Sequence, residues 1–207
     1  LLDAHADTTT IKRFALFDYA DIAMRSTGIF AKFSEEYHLV SDTIWFDAQA
    51  ERIRISSFQV RPQFNRETFA SRYPHQKNWM ALTVDQVSIG HFDFDRFSYT
   101  GEVHVGQVVL KNPNLALYKD KTKPLPPYQK KFLPASNLKA IPWPITVDTA
   151  WVKNGTVVIN EKSKLREEIT DLSFNQIDAE VTGFSNNPRI QRTDQHLIVA
   201  ATGRPMN

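Results

Sequence analysis

The sequence predicts an all-β protein with minor helix, built as an elongated, strongly twisted antiparallel sheet curled into a groove or an open sandwich. Three observations carry that expectation. Apolar and polar residues alternate with a period of two in many short segments, most clearly in Gln176-Ile177-Asp178-Ala179-Glu180-Val181-Thr182, the pattern of a strand with one apolar and one wet face. Convincing helical periodicity is scarce. In several strands the apolar parity slips by one residue, which moves side chains to the other face unless a bulge or corner absorbs it.

Along the chain, Asp18 to Tyr37 reads either as a short helix around Tyr19 to Met24 or as a hairpin turning at Gly28, with strands on both sides of a short irregular piece preferred. Alternation then recurs at Arg52-Ile53-Arg54-Ile55, at Phe58 and Val60, at Leu82 and Val84, at Val103 and Val105, and at Leu115 and Leu117. The parity slips fall after Ser56-Ser57, around Asp85-Gln86 and at Gly106-Gln107. Roughly ten strands result. Asn154-Gly155 between Trp151-Val152 and Val157-Val158 predicts a two-residue hairpin, because a type I′ turn needs positive φ. Leu82-Thr83-Val84-Asp85 and Ile145-Thr146-Val147-Asp148 share one pattern, a faint sign of a repeat. The expected organisation is an N-terminal β-rich unit over 1–118, a Pro/Lys-rich connector over 119–143 and a C-terminal hairpin and strand unit over 144–207; the units can also pack as one continuous sheet.

Composition narrows the function. With 207 residues, 42% hydrophobic and 23% charged, the chain can bury a core as one large domain or two small ones. Its 25 basic and 23 acidic side chains leave a net charge of +2, which gives no reason to expect nucleic acid. There is no apolar run long enough for a spanning helix. Without cysteine there is no disulfide framework and no thiolate zinc site. The chain opens Leu1-Leu2-Asp3 with no initiator Met and reads as a fragment of something longer.

The sharpest chemical candidate is His91-Phe92-Asp93-Phe94-Asp95. On a strand, His91, Asp93 and Asp95 would share one face, a spacing that could hold a divalent metal or do acid-base work. A solvent-facing row over Phe92 and Phe94 explains the same residues. No HExxH, Gly-x-Ser-x-Gly, dinucleotide turn or phosphate loop occurs. Asn154-Gly155-Thr156 also matches a glycosylation sequon, and the turn alone accounts for it. The lysines from 111 to 131 suit an anionic headgroup or simply a solvated connector. No cofactor is expected.

The run from Val103 to Lys121, with Asn112-Pro113 between two strands and then Tyr118 and alternating charges, resembles the AsmA-like proteins of bacterial envelopes. The similarity continues through Ile141-Pro142-Trp143-Pro144-Ile145 and Asn154-Gly155 to Phe184, and Thr202-Gly203-Arg204 looks like a strand leading into another unit. The resemblance implies a long periplasmic protein with a membrane anchor outside this segment, stacked β-rungs curled into a groove, and a lining suited to acyl chains. Phospholipid or another envelope lipid is then the expected partner, with other envelope proteins as further partners. The candidate lining is Val152, Val157, Ile159, Ile177, Ala179 and Val181. The alternative is an adhesin-like or scaffold-like interaction domain in which the same residues seal a core. A metal-dependent hydrolase built on His91, Asp93 and Asp95 is the remote third reading.

Overall fold

A computed structural model describes residues 23–32, 34–127, 144–163, 169–187 and 197–206. The strands are β1 (Ala23–Lys32), β2 (Tyr37–Asp47), β3 (Arg52–Pro62), β4 (Asn78–Phe92), β5 (Val103–Lys111), β6 (Asn114–Asp120), β7 (Ile145–Lys162), β8 (Ile169–Ser185) and β9 (Ile198–Met206). Two short helices, α1 (Arg66–Ser71) and α2 (Phe94–Thr100), flank β4. All nine strands among the described residues lie in one sheet ordered β1-β2-β3-β4-β5-β7-β8-β9, with β6 also set between β4 and β7. The fold is all-β, and the strands expected on both sides of the connector belong to the same sheet.

Local chemistry accounts for most of the path. β1 to β5 run as an antiparallel meander, with short links from β1 to β2 and β2 to β3 and with α1 and α2 inside the longer links to β4 and β5. β7 enters parallel to β5 and β6, which requires a crossover, and the segment after Asp120 supplies its length. The expected connector starts late: Lys119 and Asp120 close β6, while Lys121 pairs with Glu161 and Lys123 donates to the backbone oxygens of Ala70 in α1 and of Tyr73 just beyond it. Residues 128–143 of it lie outside the described residues.

Three positions whose residues carry turn chemistry do not turn the chain. β1 runs straight through Gly28, whose φ is 64°. Asn112-Pro113 interrupts hydrogen bonding but not direction: β5 and β6 are collinear, both antiparallel to β4 and both parallel to β7 in one unbroken register. The hairpin at Asn154-Gly155 is likewise absent, because β7 continues to Lys162. A type I′ turn needs positive φ at both central residues. Here Asn154 has φ 55° and Gly155 does not. Neighbouring strands hold both flanks: the Asn112 amide donates to the Lys153 carbonyl at 2.9 Å and the Thr156 amide to the Pro113 carbonyl at 2.7 Å.

The helices sit at opposite ends of β4. The Asn65 side chain caps α1 by accepting from the Thr68 amide at 2.8 Å, and Phe69 is fully buried between Tyr37 and Tyr73. Trp79 donates to the Phe64 carbonyl at 2.9 Å and Arg66 stacks over Tyr118, fixing α1 across that end. At the other end, Asp93 caps α2 and Gly101 closes it in the left-handed conformation, φ 70°.

Candidate functional site

Two lines of irregular backbone cross the sheet at right angles to the strands. The register places Gly28, Asp42, Ser57, Asp85, Asn112 and Asn154 level with one another. Among them Gly28, Ser57, Asn112 and Asn154 have positive φ, and the line continues in β8 at Gln176, φ 50°, where the ladders to β7 and β9 shift register. A second line, about six residues away on each strand, joins Glu51 (φ 50°), His91 (φ 54°), Gly106, Asp148 and Gly183 (φ 72°).

Polar side chains bridge the first crease. Asn112 donates to Asp85 at 2.8 Å, Asn154 donates to Asn112 at 2.8 Å, and Asp178 accepts from the Asn154 amide at 3.1 Å. Asparagine tolerates the left-handed region better than most residues. At the second crease Gly106 is required: a Cβ there would lie 2.9 Å from the His91 Cβ.

The creases reset the alternation so that apolar residues stay on one face. Before the first crease the apolar rows include Leu39, Val60, Leu82, Leu115, Val157 and Phe174, paired across six strands. Between the creases the rows shift parity to Ile44, Ile55, Val87, Leu110, Val152 and Ala179, then Phe46, Ile53, Ile89, Val108, Ala150 and Val181. Beyond the second crease they shift back, to Phe92, Val105, Val147 and Phe184. Contacts verify both resets. Phe94 touches Phe46 and Phe92 at once, at 4.5 and 4.4 Å, although these lie on opposite sides of the second crease and differ in parity. Across the first crease, a Cβ on Gly155 would meet Val152 at 3.0 Å and Ile177 at 3.4 Å.

The opposite face is mixed: Gln59, Thr83, Asn114, Thr156 and Asn175 form one polar row and Gln86, Lys111 and Lys153 another, while Trp45, Arg54, Ser88, Val109, Trp151 and Glu180 form a row that includes apolar and aromatic side chains. A sheet face covered by a second layer would be largely buried. Here the described hydrophobic residues that are buried are only Ala48, Phe69, Ala70, Val84, Val87, Phe92, Val105 and Tyr118. The remaining apolar rows are half-buried, and Leu172 and Val199, which belong to this face, are 48% and 58% exposed. With seven intervals of about 4.8 Å between strands, the face extends for about 34 Å across the sheet.

All six expected lining residues fall on this one face. Val152 pairs with Ala179, Val181 with Ala150, Val157 with Phe174, Ile159 with Leu172, and Ile177 packs against Gly155 and Gly203. The matching residues on β2 to β6 were missed, although their alternation is visible. Reading the parity slips at Ser57, Asp85 and Gly106 as one feature repeated on neighbouring strands would have found them.

The metal candidate does not assemble. β4 ends at Phe92, so the period of two that would align His91, Asp93 and Asp95 stops after one step. Asp93 accepts from the Arg96 amide at 2.8 Å as the cap of α2, Asp95 lies in the helix, and His91 sits on the crease 3.7 Å from Glu51. Among the described residues no group of three His, Asp or Glu side chains is placed to hold a metal. A cluster of coupled polar groups lies elsewhere, beside α1. There Lys77 and the Tyr73 hydroxyl both donate to Glu36 and hold its carboxyl below the ordinary range, and burial pushes the Tyr37 hydroxyl upward.

No described helix is long and apolar enough to cross a membrane. No protein-family model matches the chain, and no curated protein matches it.

Proposed function

We propose that this chain is a non-enzymatic, lipid-handling segment whose apolar sheet face forms a trough for the acyl chains of a phospholipid or similar amphiphile. The carrying observation is the pair of creases, two lines of positive-φ backbone at which the alternation changes parity so that the rows of Leu39, Ile44, Phe46 and Phe92 share one side; in this reading the sheet bends along both. The rows between the creases form the floor and the rows beyond them the walls. An apolar face that continues from strand to strand and stays only half-buried is the kind of contiguous surface that marks a binding groove. The resemblance of Trp79 to Phe184 to AsmA-like proteins supports the same reading, and the proposal includes the periplasmic side of a bacterial envelope as its location.

The test is native mass spectrometry of protein purified gently from a bacterial host, with identification of any co-purifying lipid. Bound phospholipid should disappear in Val181→Asp and Ile177→Asp and persist in Thr182→Asp, whose side chain lies on the reverse face. A lipid-free wild type, or equal loss in all three variants, counts against the trough. An interaction module is the second reading, favoured by one observation: among the described residues β9 pairs only with β8, and its residues 198–205 are exposed. Unpaired edges recruit strands from other chains. Concentration-dependent self-association in sedimentation, without lipid, would move the assignment there.

A further inference from the structure

The apolar face is not uniform from edge to edge. On the β2 to β5 side α2 lies over it: the Phe94 ring meets Phe46 edge-on at 4.5 Å and Phe92 at 4.4 Å, and Phe97 meets Phe92 at 5.8 Å. Phe46 is on β2 and Phe92 on β4, so the three rings close over the intervening strand β3. Phe92 and Val105 are 8% and 3% exposed there. On the β8 to β9 side Leu172 and Val199 remain 48% and 58% exposed, and from β7 to β9 the floor consists of two mixed rows, Val152-Ala179-Ala201 and Ala150-Val181-Val199, with no aromatic ring over them among the described contacts. The helix that carries Phe94 is held at both ends, by the Asp93 cap and by Gly101, and Arg96 pairs with Glu102 at 3.0 Å. A ring fixed in this way is a wall across the trough and not a flexible side chain over it.

We propose that Phe94 is a specificity-determining residue, the stop that sets how long an acyl chain the trough accepts, with the chain entering from the β8 to β9 side and its terminal methyl meeting the Phe94–Phe46–Phe92 cluster. The inference rests on the lipid-handling reading and adds to it a single-file chain, a direction and a length limit.

Calorimetric titration of the whole chain with saturated lysophosphatidylethanolamines, from decanoyl to stearoyl, tests it. Each methylene that finds cover raises affinity about fourfold, so wild-type affinity should climb with chain length and then level off. Phe94→Ala should move the plateau to longer chains and strengthen binding of the longest member about tenfold or more, while Phe97→Ala, which alters the outer side of the cluster, should leave the plateau in place. Phe94→Trp preserves the packing and projects further, so its plateau should come at shorter chains; this variant decides the matter if Phe94→Ala fails to fold. A wild type that binds none of the series overturns the lipid reading itself. Binding with an unchanged plateau in both Phe94 variants overturns the stop and leaves that reading standing.

Discussion

Replacing Gly106 with alanine should test whether the second crease depends on close approach of β4 and β5. The new Cβ would lie 2.9 Å from the His91 Cβ, and the next two nearest atoms, at 3.4 Å, belong to the His91 ring. Both Cβ atoms are fixed to backbone in paired strands, so neither can rotate away. Overpacking of this kind costs about 1 to 3 kcal/mol, and with no soft partner a value of about 2 kcal/mol is expected. His91→Gly removes the obstructing side chain and also relieves a residue at φ 54°, worth about 1 kcal/mol, against an unfolded-state entropy cost of about the same size. Its own effect should therefore be near zero, since the His91 contact to Glu51 is exposed on both sides. The double variant should recover most of the loss, with a coupling of about 1.5 kcal/mol. In urea, with a slope of about 2 kcal/mol/M, Gly106→Ala alone should lower the midpoint by about 1 M and the double variant by much less. An unchanged midpoint in Gly106→Ala, or no rescue by His91→Gly, would refute the crease geometry.

Three further outcomes follow from other parts of the molecule. Asn112→Ala removes the bridge between Asp85 and Asn154 and puts a less tolerant residue at positive φ; it should cost about 1 to 2 kcal/mol, with Asn112→Gly milder, as read by thermal unfolding. Asp93→Ala should cost about 1 kcal/mol through loss of the helix cap, and Asp93→Asn should retain most of it; a thermal shift caused by zinc or manganese in wild type but not in Asp93→Ala would revive the metal reading. Glu36 has a folded-state pKa held below its ordinary value by Lys77 and Tyr73, so its contribution is present above the unfolded pKa and is lost as pH falls through the folded one. Wild type should exceed Glu36→Gln by about 1 kcal/mol or less at neutral pH and converge with it in acid; a gap that persists below the lowered pKa would show that the carboxylate charge is not its source.

The legible part of this fold was the part governed by period two. Gln176 to Thr182, Arg52 to Ile55 and the short alternations around Leu82 and Val103 all became strands with apolar residues facing one way. The parity slips at Ser57, Asp85 and Gly106 could be seen in sequence, and each lies on a crease. What local sequence could not show was that these slips align across strands, because alignment is a property of register between residues far apart in the chain. The same limit explains Asn154-Gly155 and Asn112-Pro113. Each dipeptide carries genuine turn chemistry, yet paired neighbours on both sides convert a turn signal into a kink in a continuous strand. His91-Phe92-Asp93-Phe94-Asp95 failed for a local reason: Asp93 is a better helix cap than a strand residue, and once it starts α2 the shared face disappears. The Asp at the end of both Leu82-Thr83-Val84-Asp85 and Ile145-Thr146-Val147-Asp148 has a physical basis, since each sits where its strand meets a crease.

The most direct test of the trough is photo-crosslinking along β7. Benzoylphenylalanine would be placed singly at Val147, Thr149, Ala150, Trp151, Val152, Thr156, Val157, Val158 and Ile159, and lipid adducts read by mass spectrometry after irradiation in a bacterial host. Adducts at Val147, Ala150, Val152, Val157 and Ile159 and not at the remaining positions would reproduce the double change of parity that only an apolar face carried across both creases produces. Adducts of a single parity along the whole strand, adducts on both faces alike, or none at any position would contradict it.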